Sequence, residues 1–135
     1  MPAAIAIIRI SGPSASEALR LLGVKKLEPR KLVLTKLKPP KKEIIDISLV
    51  CYFPEKDSVT GEELVELHLH GSAAVVDEVF LFLSSIKGFR PAEPGEFTKR
   101  ALIKGKMDLL EVEGLADLIA SETKEQRIQS LRLLK

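Results

Sequence analysis

Two stretches of this sequence alternate apolar and polar residues with a period of two, which is the pattern of strands that bury one face. In residues 44–53, the apolar positions that we expect to face inward are Ile45, Ile47, Leu49, Cys51 and Phe53. In residues 63–69 they are Val65, Leu67 and Leu69, and the opposite face carries Glu66, His68 and His70. A half-buried sheet needs another layer against its apolar face, so the chain must combine a sheet with further elements.

Helices and further strands are predicted on both sides of these stretches. Strands are expected over residues 4–10 and 32–37, the second pairing with 44–53 as an antiparallel hairpin. Short helices are expected after the Ser14/Glu17 capping box, after Ser72 and over residues 96–103, and a long helix from Asp108 to about Leu134. Because strands and helices do not alternate strictly, the fold class is α+β, with a mixed or antiparallel sheet and packed helices.

Composition limits what the chain can do. Its 135 residues are the length of one ordinary domain. A net charge of +2 argues against a dominant phosphate-binding surface, although it leaves room for a modest basic patch, and 4% aromatic residues without Trp argue against a base-stacking platform. Cys51 is the one cysteine, which excludes an internal disulfide and, given its strand position, predicts a small core residue. No apolar run approaches the roughly 20 residues of a membrane helix, so we expect no membrane partner and a cytosol-like compartment.

Arg9 is the first candidate functional residue because it interrupts an apolar strand. It shares a strand face with Ile5 and Ile7, and burying an unpaired guanidinium is very costly in free energy. Arg9 therefore lies at a strand end with its head in water, faces a cavity, or meets an anion. That anion would be a ligand or a carboxylate of this chain.

The polar face of the second alternating stretch supplies the next candidates. Glu66, His68 and His70 share one side of a strand, which leaves three interpretations open. They are a metal site, a solvated outer face, and the wall of a polar cleft in which Glu66 accepts hydrogen bonds from a planar donor edge. Since the sequence offers no further strong ligand, we assign no metal.

A basic turn near the end of the sheet region is the last candidate. Gly95 precedes a helix start, whose free N–H groups can receive an anion, and Arg100, Lys104 and Lys106 follow it. The turn is either an anion site or a solvated basic face. It lacks the pattern of a nucleotide P-loop, and no Ser/His/Asp or Cys/His set can be assembled, so no catalytic residue is assigned.

Four segments resemble, in order along the chain, the signatures of the TrmE/MnmE family of tRNA modification GTPases. They are IAIIRISG (residues 5–12), TGEELVEL followed by HG (60–67 and 70–71), PAEPGEFTKRA followed by GKMDL (91–101 and 105–109), and EGLADLI (113–119). The third is the most specific. The segments span nearly the whole chain, so a chance match is very unlikely.

The resemblance implies a fold and a ligand. Residues 1–107 would form an N-terminal folate-binding domain related to tetrahydrofolate-dependent aminomethyltransferases, and residues 108–135 the first helix of a helical domain. The implied cofactor is 5-formyl-tetrahydrofolate, and the family's folate contacts carry over to Arg9, Glu66 and Lys106. Whether the folate acts as substrate or as structural ligand stays open.

The resemblance also implies a process and partners. Family members modify the wobble uridine of certain tRNAs in a 5-carboxymethylaminomethyl-type reaction, as homodimers and with an FAD-dependent partner of the MnmG/GidA type. The expected compartment is the cytoplasm, or an organelle in a eukaryote. GTP, Mg and K belong to a G domain that these 135 residues do not contain, so we expect no GTP hydrolysis by this chain.

Three departures from the family pattern bear on these expectations. The chain begins at Met1 without the strand and Pro-Pro-Gly turn that precede the first signature, so an edge strand or part of a dimer contact is expected to be missing. Ser72 stands where the family has Gly, and Lys104 where it has Asn. The alternative is a diverged or truncated module that has lost folate and keeps only protein or tRNA contacts.

Overall fold

One sheet organises the part of the chain that this computed structural model describes, which is residues 5–105 and the backbone of residues 130–134. In chain order, the elements are β1 (Ile5–Ser11), α1 (Ala15–Leu21), β2 (Val33–Leu37), β3 (Asp46–Phe53), β4 (Leu64–His70), α2 (Ala73–Ser84), β5 (Arg90–Pro91), α3 (Glu96–Ile103) and β6 (Ser130–Leu134). A single 3₁₀ turn, Glu55–Asp57, lies between β3 and β4. None of the described helices is long and apolar enough to cross a bilayer.

The strands follow the order β2-β3-β4-β1-β6-β5 across the sheet. Strands β2, β3, β4 and β1 are antiparallel neighbours, β6 runs parallel to β1, and β5 runs antiparallel to β6. The predicted α+β class, the mixed sheet and the β2–β3 hairpin are therefore confirmed. The register places Glu66 between Arg9 on one neighbouring strand and Cys51 on the other, which sets the geometry of the candidate site.

The core lies between one face of the sheet and helices α1 and α2. Its fully buried side chains come from every layer, and they include Ile8, Ile10, Leu22, Val50, Val65, Leu67, Leu69, Val79 and Leu83. Burying one such side chain contributes roughly 1.5–3 kcal/mol. The predicted inward face of β4, with Val65, Leu67 and Leu69, is confirmed.

The predicted inward face of β3 is wrong. Ile47 and Leu49 are 45% and 38% exposed, whereas the neighbouring Ser48 and Val50 are buried. Because Val50 is paired with Leu67 across the β3–β4 ladder, it has to share the face that Leu67 presents to the helices. The odd-numbered residues of β3 therefore lie on the opposite face, and the prediction had the phase reversed.

Helix α1 lacks the capping box that its sequence predicts, but it ends at the expected glycine. Ser14 occupies the N-cap position but its side chain makes no capping hydrogen bond, and Glu17 pairs with Arg20 instead. The helix stops at Gly23, whose φ of +76° suits glycine, and a Cβ there would lie 2.2 Å from the carbonyl oxygen of Lys38. Ser72 likewise occupies the N-cap position of α2 without a side-chain cap.

The predicted C-terminal helix is wrong over its last residues, because Ser130–Leu134 form strand β6. The edge of β1 that faces away from β4 presents N–H and C=O groups, and pairing with β6 satisfies them. Most of that predicted helix lies outside the described residues. The division into residues 1–107 and 108–135 therefore stays a prediction.

Candidate functional site

A cavity of about 320 Å³ opens beside β1 and β4, on the face of the sheet away from the α1 and α2 layer. Arg9 and Glu66 contribute its polar floor from these two strands. The loop before β4 supplies Thr60, and helix α3 supplies Phe97 and Thr98. Three segments that are distant in the sequence therefore meet at one hollow.

The Arg9 guanidinium meets a carboxylate of this chain. Arg9 Nε donates a hydrogen bond of 2.8 Å to Glu66 Oε2, and His68 Nε2 lies 3.2 Å from Glu66 Oε1. Because an ionised carboxylate only accepts, His68 donates through Nε2–H. The Arg9 and Glu66 side chains keep 33% and 17% of their surface exposed, so the pair lies at the cavity and not in the apolar core. Arg9 is therefore paired, and the strand-end interpretation is wrong.

The electrostatics of the cavity keep Glu66 ionised. Burial by itself would raise the pKa of Glu66, but the hydrogen bonds from Arg9 and His68 and the positive charge of Arg9 outweigh burial, and the pKa is lowered. A carboxylate has about four lone-pair positions, of which these two neighbours use two. Glu66 therefore still has acceptor capacity for a ligand that enters the cavity.

Cys51 lies next to Glu66 in the sheet register, but its thiol is not a nucleophile. It is only 3% exposed, and burial, followed by the negative charge of Glu66, raises the pKa of its thiol. The thiolate is the reactive form of cysteine, so the neighbouring carboxylate suppresses its reactivity. The prediction of a buried, unreactive cysteine is confirmed.

The wall of the cavity is fixed by an ion-pair network that the sequence analysis did not find. Arg100 Nη1 donates to both oxygens of Glu62, at 2.8 and 3.0 Å, and Arg100 Nη2 donates to Glu96 at 3.2 Å. Ser11 Oγ donates to Glu62 at 3.2 Å and lies 2.7 Å from the hydroxyl of Thr60. Arg100 thus ties α3 to the loop before β4: the carboxylates that it attracts are Glu62 and Glu96 of this chain, and the solvated-face interpretation is wrong for this residue.

The start of α3 is also satisfied within the chain. Gly95 adopts a φ of +78° ahead of the helix, and the Glu96 side chain accepts a 3.0 Å hydrogen bond from the backbone N–H of Glu93. Arg90 pairs with the same carboxylate, and this hydrogen bond, more than any other influence, lowers the pKa of Glu96 to about 2. An anion at this turn would compete with Glu96, which argues against the anion-site interpretation.

The predicted site residues separate into three groups. Arg9 and Glu66 line the cavity, and His68 joins them through its hydrogen bond to Glu66. His70 turns away from them and binds Asp46, with 2.7 Å between its Nδ1 and Oδ1. Lys106 lies outside the described residues, so its predicted role stays a prediction. Within those residues, no three His, Cys, Asp or Glu side chains are grouped as a metal site would require.

Sequence reasoning missed the contacts of three residues that fall within the recognised segments. Glu62 lies in TGEELVEL, and Phe97 and Arg100 lie in PAEPGEFTKRA. The structure brings these two segments into contact through the Arg100–Glu62 pair. Their long-range pairing is the signal that was missed, because charges 38 residues apart carry no local pattern.

The chain is similar in sequence to known proteins over its whole length. Residues 1–106 match the family model described as the N-terminus of the GTP-binding protein TrmE. The chain is 52% identical to a tRNA modification GTPase MnmE of Bradyrhizobium sp. over 135 residues, covering 100% of the chain and 30% of that relative. It is 48% identical over 129 residues to the mitochondrial 5-taurinomethyluridine tRNA synthase subunit GTPB3 of Danio rerio, covering 95% of the chain and 26% of that relative.

The chain therefore belongs to the TrmE N-terminal family. The relatives that contain this region are named for tRNA modification and, in bacteria, as GTPases. The chain spans about a third or less of their length.

Proposed function

We propose that this chain is a folate-binding domain that takes the pterin ring of 5-formyl-tetrahydrofolate into the cavity between β1, β4 and α3. The observation that carries the proposal is the convergence of Arg9 and Glu66, 57 residues apart in sequence, on one hollow. The resemblance to the TrmE/MnmE family independently implies a folate contact for both residues. A folate site built from Arg9 and Glu66 requires that the two side chains lie at one cavity.

The chemistry of the cavity suits a pterin. The ring presents an amino group and a ring N–H side by side, and Glu66 is an ionised acceptor with free lone pairs at the cavity floor. Phe97 and Leu64 supply apolar surface for the ring faces. Arg9 offers N–H donors beyond the one that Glu66 uses, and these can reach the ring carbonyl.

The size of the cavity indicates which part of the ligand it holds. At about 320 Å³ it lies at the low end of the range of 300–1,000 Å³ for small-molecule sites. It therefore accommodates a bicyclic ring better than a complete formyl-tetrahydrofolate. We assign the glutamyl tail to Lys106 and to the second protomer of a homodimer.

The wider process follows from the relatives. They are named for tRNA modification, so the bound one-carbon unit would serve the modification of a tRNA wobble uridine, with an FAD-dependent MnmG/GidA-type partner. The GTP-hydrolysing part would belong to other regions of such a protein. Folate delivery is the contribution that this chain makes.

Isothermal titration calorimetry with 5-formyl-tetrahydrofolate tests the proposal. Replacing Glu66→Gln removes one of two carboxylate acceptors while keeping the side-chain shape, and a charge-assisted hydrogen bond is worth about 1.5–3 kcal/mol, so Kd should rise about ten- to a hundredfold. Glu78→Gln, an exposed change on α2, is the matched control and should leave Kd unchanged. Absence of saturable binding by the parent chain, or equal Kd values for parent and Glu66→Gln, would refute the assignment.

A further inference from the structure

The positive charge of this chain is concentrated in residues 25–42. This segment holds eight of the 21 Lys and Arg residues and one of the 19 Asp and Glu residues, so its formal charge is +7 and that of the remaining chain is −5. All eight cations are exposed. The net charge of +2 conceals this asymmetry.

These cations share one edge of the sheet. They lie in the loop after α1, on β2 and in the turn that leads to β3, and β2 is the outermost strand on its side of the sheet. A groove of about 680 Å³ runs along this edge, and its lining includes Lys25, Lys26, Lys31 and Lys36 together with Glu28. We call residues 25–42 with this groove the basic edge.

The basic edge is not neutralised by the protein itself. Elsewhere in the described residues, Arg9, Arg20, Arg90 and Arg100 each pair with a glutamate. In residues 25–42, the ion pair found among the described residues is a 3.6 Å contact between Lys31 and Glu28. Unpaired like charges repel one another, and an anion bound from solution relieves that repulsion.

Two cations of the basic edge occupy backbone conformations that disfavour them. Arg30 and Lys41 have φ values of +65° and +61°, and they are the two residues other than glycine with positive φ in the described part of the chain. Glycine or asparagine adopts this left-handed region more readily than a long side chain does. These two turns, one on each side of β2, each hold a cation where a glycine or asparagine would be less strained.

We propose that the basic edge docks the phosphate backbone of an RNA, namely the tRNA on which the family acts. The identity of the RNA rests on the proposed function, whereas the preference for a polyanion rests on geometry. A five-residue strand is about 15 Å long, so the cations at the two ends of β2 cannot share one phosphate but can contact several along a backbone. Strands β4 and β1 lie two and three positions from β2, about 10–15 Å away, so a docked RNA reaches the cavity region.

Fluorescence anisotropy with an unmodified tRNA transcript, over a series of salt concentrations, tests the proposal on the 135-residue chain. The triple variant Lys25→Gln, Lys26→Gln, Lys36→Gln should bind at least about tenfold more weakly near 0.1 M salt. Its salt-dependence slope should fall by about 2–3, roughly one per lost phosphate contact. The matched control removes three exposed lysines elsewhere, namely Lys87→Gln, Lys99→Gln and Lys104→Gln, and should stay within about twofold of the parent.

Three results would overturn the docking surface. They are equal losses in both triple variants, no tRNA binding by the parent, and tighter parent binding to phosphatidylserine vesicles than to tRNA. Folate calorimetry on the same variants separates this proposal from the previous one, because the basic edge does not line the folate cavity. If neither the parent nor either triple variant binds folate, but the basic-edge variant alone loses tRNA binding, the folate site is refuted. The docking surface is then still supported.

A second variant tests the docking surface even if the triple variant fails to fold. Arg30→Asn with Lys41→Asn places a residue that favours positive φ at both turns, so the Tm should be equal to or above that of the parent. The same variant should bind tRNA more weakly, with a smaller salt slope. A lower Tm, or tRNA binding equal to that of the parent, would contradict the argument.

Discussion

The Arg100–Glu62 pair holds the wall of the cavity, and its removal makes the most quantitative prediction. Arg100→Met keeps the length and apolar stem of the side chain while it removes both hydrogen bonds to Glu62. Glu96 loses one bond but keeps Arg90, so Glu62 is the group left without its cation. Ser11 remains as its neutral donor.

The size of the effect follows from how far the pair is buried. The side chains of Arg100 and Glu62 are 20% and 12% exposed, which places them between surface pairs, worth up to about 1 kcal/mol, and buried pairs, whose disruption costs about 3–5 kcal/mol. We expect a loss of about 2 kcal/mol. For a chain of this size, that corresponds to a fall in Tm of roughly 6–10 °C.

Denaturant unfolding followed by circular dichroism measures this loss. Arg20→Met is the matched control, because Arg20 pairs with Glu17 on the surface and its side chain is 70% exposed, so its stability should equal that of the parent. The double variant Arg100→Met with Glu62→Gln should lose less than the sum of the single changes, because the uncompensated carboxylate is gone. If Arg100→Met costs no more than Arg20→Met, the pair does not fix the cavity wall.

Two further predictions concern charge and packing. The pKa of Glu96 is about 2, below its ordinary value of 4.5, so its contribution to stability is present above pH 4.5 and is lost as the pH falls toward 2. The Glu96→Gln variant should therefore lose less stability than the parent over that interval. Parallel curves of Tm against pH for the two proteins would contradict this. Val50→Ala should destabilise the fold by about 2 kcal/mol in urea unfolding because Val50 is fully buried, whereas Leu49→Ala should cost less than about 1 kcal/mol. The reverse order would mean that β3 presents its odd-numbered residues to the core.

Sequence pattern predicted the inward face of β4 correctly and that of β3 incorrectly. In β4 the apolar face is the one that the α1 and α2 layer covers. In β3 the more apolar, odd-numbered face lies on the cavity side and leaves Ile47 and Leu49 exposed, whereas the face toward the helices buries Ser48 beside Val50. Alternation identifies a strand but does not say which of its faces a helix will cover.

The site was predictable where a single residue violated its surroundings. Arg9 in an apolar strand required a strand end, a cavity or an anion, and the structure supplies a cavity and Glu66. Arg100 and Glu62 could not be found in this way, because each lies in a polar segment where a charge is unremarkable. Strands β5 and β6 were missed because β5 has two residues, too few for a periodicity, and β6 is defined by a parallel pairing with a strand more than 100 residues earlier.

Methyl-resolved NMR during a titration with 5-formyl-tetrahydrofolate tests the location of the ligand most directly. The cavity beside Arg9 and Glu66 is lined by Val59, Thr98 and Ala101, and the separate groove along β2 by Val24 and Val33. The account predicts that the methyl resonances of the first three shift in proportion to occupancy while those of the other two stay unchanged. Shifts confined to Val24 and Val33, or no shifts at saturating folate, would contradict it.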